Sequence, residues 1–454
     1  MIKNSSRRKW LMLFTLIFMA VFLAACSDKS NSEPNNEPPD NETEGSDTEV
    51  ANEENKDPVT IKIAYAFGEE SFHGRFDHID EKLENINIEY VPYANTLESL
   101  QEIYANNIQP DIIIQYNDMT PVRELDVIEP IDELAEKHGL DLNTLRPSLV
   151  AYIRSLDEEG KMIGLPDGSS HVALYYNKEI FDLFGVEYPD PNKILTWDEV
   201  FDLAKQMTGE RNGQEYVGFE FSWGNAGAGA LMPLREFAMN ITDPETGKLL
   251  FNERPEFKKY FDMMDTFYSI PGIYNAETEG SCLFCERRAA MAVASNVYLS
   301  PTIGELETTE DMDMLPVPAW SDDPNTTPYL GSSPMIITNY SEHKDEAFQV
   351  LMEYISPENQ LKMVQNGSSA SVLEDPEILT KFAADNEYYT DKNREAWFTG
   401  DPALYDETQS RWDILVDINS ALKKLAETDI DVNTLMRELE EESNAKIQDA
   451  MSQK

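Results

Sequence analysis

Apolar and polar residues alternate along Val59-Thr60-Ile61-Lys62-Ile63-Ala64-Tyr65, the period of a strand. A helical stretch follows over 72–83. Ile86-Asn87-Ile88-Glu89-Tyr90-Val91 predicts a second strand, and 96–106 a second helix. Asp111-Ile112-Ile113-Ile114 is a short apolar run of the kind found in buried parallel strands. Strand, helix, strand, helix, strand predicts an α/β lobe around a central sheet. Ligands of such sheets sit at the C-terminal ends of the strands, which nominates the loops 67–71 and 116–119. Further along, Thr196-Trp197-Asp198-Glu199 has the spacing of a capping box, with Trp197, Val200, Ala204 and Met207 on one helical face. Ser341 is placed to cap a helix with an apolar stripe of Ala347, Phe348, Leu351, Met352 and Ile355. Ser356-Pro357 opens another helix, and 412–453 reads as two or more helices. No internal repeat is evident.

Length changes the picture first. With 454 residues the chain exceeds what one core normally organises, which predicts two domains with a tail. Charge changes it next. There are 85 Asp and Glu against 36 Lys and Arg, a net −49. Lys3, Arg7, Arg8 and Lys9 are the charges of the first 25 residues, so the rest carries −49 − 4 = −53. Such a chain repels phosphate backbones, which argues against a nucleic-acid partner. The acidity fits a soluble surface, or a cationic ligand.

The N-terminus reads as an address. Basic residues over 3–9 precede an apolar run, Trp10 to Phe22, and then Leu23-Ala24-Ala25-Cys26. That ending resembles the bacterial lipobox, which implies lipidation of Cys26 and a membrane tether on the outer face of the cell membrane. Residues 1–25 are then a lipoprotein signal peptide. Residues 26–57, rich in Asn, Ser, Pro, Glu and Asp, are a disordered acidic tether. Cys282 and Cys285 form a lone Cys-x-x-Cys. No second pair completes a zinc site, and His73, His78, His138, His171 and His343 show no matching spacing, so no metal is expected. A local disulfide and two buried thiols both remain open.

Gly160-Lys161-Met162-Ile163-Gly164-Leu165-Pro166 is followed by Ala173 to Phe181, by Gly185-Val186, by Tyr188-Pro189 and by Thr196 to Val200. Arg288-Ala289-Ala290-Met291-Ala292, Asp313 to Pro318, Gly331 to Thr338 and Ser356 to Gln360 come after in order. This series resembles the family 1 extracellular solute-binding proteins, the maltodextrin-type sugar binders of ABC importers, over 58–454. Arg288 stands where that family often has glycine, and Asn296-Val297-Tyr298 replaces its frequent Gly-x-Trp.

The resemblance implies a two-lobed, type II periplasmic-binding-protein-like α/β fold. Each lobe is a central sheet flanked by helices, with a hinge between. Lobe 1 is expected at 58–170 plus 317–358 and lobe 2 at 171–316 plus 359–454. The crossovers are expected near 168–174, 315–320 and 354–362. It implies a carbohydrate ligand, ABC permease membrane subunits as partners, a monomer, and no cofactor.

Sugars need aromatic faces for their C–H surfaces and polar side chains for their hydroxyls. Residues of these types at the corresponding positions are Glu69, Glu70, Tyr116, Asn117, Asp118, His171, Trp223, Asn225, Asn296, Tyr298, Ser332 and Trp412. Glu69, Glu70 and Asp118 with Tyr116 and Trp223 would equally suit a polyamine-like cation. A surface sensor that binds without transport has the same body. Gly-x-Ser-x-Gly, His-Glu-x-x-His and Gly-x-x-x-x-Gly-Lys-Ser/Thr are absent from the sequence, so no enzyme is expected.

Overall fold

The computed structural model describes residues 58–222, 224–295, 298–299, 308–365, 367 and 369–452. The expectations for the signal peptide, the tether, Cys26, Trp223 and Asn296 lie outside the described residues.

Nine strands build two main sheets: β1 (Val59–Tyr65), β2 (Ile86–Pro92), β3 (Ile112–Ile114), β4 (Leu165–Pro166), β5 (Val172–Asn177), β6 (Glu220–Phe221), β7 (Met291–Ser295), β8 (Met312–Pro316) and β9 (Pro334–Ile337). Sheet one runs β2-β1-β3-β9-β4. β1 is parallel to β2 and β3, whereas β9 is antiparallel to β3 and β4. Sheet two runs β8-β5-β7-β6, with β5 antiparallel to both neighbours and β6 parallel to β7. The protein is thus a two-lobed α/β chain.

The alternation of strand side chains divides the interior into two cores. Along β5, Ala173 and Tyr175 enter the first core, and Leu174 and Tyr176 the second. Along β7, Ala292 and Ala294 face the first, Met291 and Val293 the second. Sheet two is therefore covered on both faces, and its strands read as continuous apolar runs for that reason.

The local signals resolve as physics predicts, with two differences. The capping box forms: Thr196 Oγ1 accepts from Glu199 N, and Glu199 Oε2 accepts from Thr196 N at 2.9 Å. Ser341 caps no helix; the helix is Lys344–Tyr354, preceded by His343. Ser341 Oγ instead donates to Asp111 Oδ1 at 2.6 Å, and Asp111 Oδ2 accepts from Lys62 N, tying β1 to the loop after β9.

The second difference concerns the third crossover, expected near 354–362. Ser356 Oγ accepts from Asn359 N and Pro357 opens a helix to Gln365, so this stretch is helical. Tyr354, Ile355 and Val364 pack in the first core. Residues 369–373 lie beside Ser169 and Arg146. Ser169 pairs with Ala370, and Arg146 N donates to Val372 O at 2.9 Å. Asp167 N donates to Ser333 O at 2.9 Å. Ser332 Oγ donates to Gly168 O at 2.5 Å.

Candidate functional site

β1 and β3 end side by side, and the chain after each turns away in a loop. Phe67, two residues past β1, is 60% exposed. Its ring meets Tyr116 edge-on, with centroids 4.5 Å apart. Glu69 and Glu70 follow in the first turn of the helix Glu69–Asp80, both exposed. Asn117 is exposed with φ +58°, a turn conformation that asparagine tolerates. Asp118 Oδ1 accepts from Thr120 N at 2.9 Å, so one of its oxygens serves the turn. The loop after β3 is held by Asn95, whose side chain accepts from Tyr116 N and donates to Tyr116 O.

Beneath this rim lies a buried charged hub. Arg75 donates to Asp167 Oδ1 at 2.5 Å and to Tyr354 Oη at 3.0 Å. Tyr354 donates to Asp167 Oδ1 at 2.7 Å, and Tyr116 donates to Asp167 Oδ2 at 3.1 Å. Burial is the largest influence on Arg75 and opposes its charge, but the Asp167 carboxylate together with Tyr354, Tyr65 and Tyr116 outweighs it and raises the guanidinium pKa. Burial, then the Asp167 charge, pushes the Tyr116 phenol up, so it stays a donor. The hub joins helix Glu69–Asp80, the loop after β3, Asp167 just past β4 and Tyr354.

The remaining expected residues separate. Ser332 is half-buried just before β9, bonded to Gly168. His171 is 2% exposed, its ring edge-on to Phe382 at 5.1 Å and Phe398 at 4.7 Å. Burial and then the Arg146 charge lower its pKa well below the usual value, so it is neutral. Asn225 is buried and builds its own loop. Its Oδ1 accepts from Phe221 N and its Nδ2 donates to Ile273 O. Glu279 then takes the Asn225 and Ala226 amides. Tyr298 is 2% exposed and donates to Glu220 Oε1 at 3.1 Å. Trp412 is 4% exposed in the second core, with the Arg411 guanidinium 4.5 Å over its ring. Glu69, Glu70, Tyr116, Asn117 and Asp118 thus gather at one rim, whereas His171, Asn225, Tyr298 and Trp412 are packed inside.

Sequence reasoning nominated the 67–71 loop without naming Phe67 as a ligand residue, and it missed Arg75 and Asp167. Phe67 had a signal: an aromatic just past an alternating strand and before Gly68. Arg75 and Asp167 had none, because they stand 92 residues apart. The cysteines are bonded to each other, with Cα atoms 5.2 Å apart. The loop they close donates Leu283 N and Phe284 N to the buried Glu220 carboxylate, both at 2.9 Å. Among the described residues no group of three or more His, Cys, Asp or Glu is arranged to hold a metal ion.

This fold and rim meet a known class. The chain belongs to the bacterial extracellular solute-binding proteins, whose family pattern matches residues 76–391. It is similar to the sn-glycerol-3-phosphate-binding periplasmic protein of Rhizobium meliloti (strain 1021), 35% identical over 120 residues, or 25% of this chain. The match spans about a quarter of that relative's length, 26%. A putative binding protein of Brucella abortus (strain 2308) is 26% identical over 345 residues, 74% of this chain and 79% of that one. Among solved structures, a sugar transporter from Rhizobium etli in an open conformation aligns with TM-score 0.68 at 18% identity, covering 85% of this chain and 99% of that one. The cyclic alpha-maltosyl-1,6-maltose binding protein of Arthrobacter globiformis aligns with TM-score 0.64 at 16% identity, covering 86% and 98%.

Proposed function

We propose that this chain captures a sugar or oligosaccharide at the rim of sheet one and delivers it to the membrane subunits of an ABC importer. The observation that carries the proposal is the exposed Phe67 face, braced on Tyr116 and flanked by Glu69, Glu70 and Asp118. An aromatic face with carboxylates in reach suits a pyranose, which offers C–H surface and hydroxyls together. Proteins of similar fold support the class: a sugar transporter, one in complex with cycloalternan, and one with mannotriose bound.

Binding works by closure. A ligand touching both lobes favours the closed state, and a permease can distinguish closed from open. The lobes are 58–170 plus 317–358 and 171–316 plus 359–454. The packing of helix Pro357–Gln365 in the first core supports moving the 358 boundary past Gln365. Trp223 and Asn296, which follow β6 and β7 in the sequence, are the ligand residues we expect from the second lobe. No covalent step is involved. The protein acts as a monomer outside the cell membrane, held by lipid on Cys26 through the 26–57 tether.

A second reading, sn-glycerol 3-phosphate, rests on the 35% identical relative. The rim argues against it, because Glu69, Glu70 and Asp118 are acids and Arg75 is committed to Asp167. Calorimetric titration of the purified protein decides between them. Mono- and oligosaccharides are expected to bind, with Phe67→Ala weakening them about tenfold and Asp118→Ala weakening them as well. Binding of glycerol phosphate or a polyamine with silence from every sugar refutes the proposal. For the anchor, Cys26→Ala is expected to release the protein from the membrane fraction or leave its signal uncleaved; normal lipidated anchoring of that variant refutes it.

A further inference from the structure

A cavity of about 520 Å³ lies against the first two crossovers, away from the rim. Of the residues expected to bind ligand, it shares His171 alone. Arg146 lines it, just before the helix Pro147–Ser155, and is 8% exposed. The Arg146 backbone is bonded to Val372, but its Nη1 has no hydrogen-bond partner. Burial pulls its pKa down to about 10, with only the exposed Glu374 carboxylate acting against that. A buried guanidinium N–H without an acceptor is costly, and a carboxylate is its natural complement, offering two oxygens to the planar fork.

The rest of the lining sets what kind of anion fits. Among the described residues that line the cavity, Arg146 is the one lysine or arginine. Neutral His171 adds no charge, and the exposed Glu374 and Asp401 disfavour a dianion. Val317, Leu330 and Phe398 supply apolar wall.

We propose that this cavity binds a small monocarboxylate with an apolar body, its carboxylate on the Arg146 guanidinium and its hydrocarbon or aryl part against Leu330 and Phe398. The site is separate from the rim and does not depend on what the rim binds. A molecule seated there lies against Val172 on the expected first crossover and Val317 on the second.

The probe is 4-fluorobenzoate, followed by fluorine NMR on the full chain, with 4-fluorobenzamide as the neutral isostere. Saturable benzoate binding is expected, with the benzamide weaker by about tenfold or more. Arg146→Gln is expected to remove that preference, and Phe67→Ala to leave benzoate binding unchanged. If Arg146→Gln does not fold, the acid–amide comparison on the unmodified protein still decides. No saturable benzoate signal, equal binding of acid and amide, unchanged affinity in Arg146→Gln, or loss of benzoate in Phe67→Ala would each overturn the inference.

Discussion

Asp167 and Glu220 are both buried carboxylates at the base of strand ends, and they are kept by opposite means. Asp167 faces a full cation, Arg75, with the Tyr116 and Tyr354 hydroxyls completing its shell. Glu220 faces dipoles: Leu283 N, Phe284 N and the Tyr298 hydroxyl. Burial raises the Glu220 pKa to about 7, and those three donors only partly offset it. A cation answers a buried charge directly, whereas dipoles of this number leave the Glu220 carboxyl about half ionised near pH 7. The two hubs should therefore answer differently to mutation and to pH.

The largest effect is expected on the ion-paired side. Asp167→Ala leaves the largely buried Arg75, whose side chain is 25% exposed, without its counter-charge, which costs about 3 kcal/mol of stability. Urea unfolding at pH 7 measures it. A loss below about 1 kcal/mol would mean that solvent reaches Arg75 and the pair is a surface one.

The second effect is a pH dependence on the dipole-held side. The Glu220 pKa is raised on folding, so the folded state keeps a proton that the unfolded chain releases. Below about pH 4.5 both states are protonated and Glu220 contributes nothing to the slope. Between about pH 4.5 and 7 its contribution makes the protein less stable as pH rises, by up to about 3 kcal/mol, and above 7 it is flat. Glu236 and Asp413 carry raised values of about 9 and about 6, so the total curve mixes several groups. The difference between the parent and Glu220→Gln isolates one of them. A difference that does not change between pH 4.5 and 7 would contradict the assignment.

The same contrast explains what could be read in advance. β1 was legible because its alternation is local, and the Thr196–Glu199 box because both partners lie within four residues. The rim residues were legible because a strand's end and its loop are neighbours in sequence. The hubs were not. Arg75 meets Asp167 across 92 residues, and Glu220 meets Leu283 across 63. Trp412 shows the converse error: a tryptophan suits a sugar platform and a core equally, and only packing against the second core decides. Ser341 likewise has the chemistry of a cap, but Asp111, 230 residues earlier, takes its hydroxyl.

The smallest effect sharpens the comparison most, because it removes the same atom from each hub. Tyr116→Phe deletes the donor to Asp167 Oδ2, and Tyr298→Phe deletes the donor to Glu220 Oε1. Tyr116→Phe removes a bond to a carboxylate that is ion-paired with Arg75, so its cost should be about 1.5–3 kcal/mol and the same at pH 5.5 and at pH 8. Glu220 crosses its pKa between those values. At pH 8 the lost bond is to an anion, worth about 1.5–3 kcal/mol; at pH 5.5 the acid is protonated and the loss falls to about 1 kcal/mol. Thermal unfolding of both variants at both pH values tests this. Equal pH sensitivity in the two would mean that the cation and the dipoles hold their carboxylates alike, and the contrast between the hubs would fail.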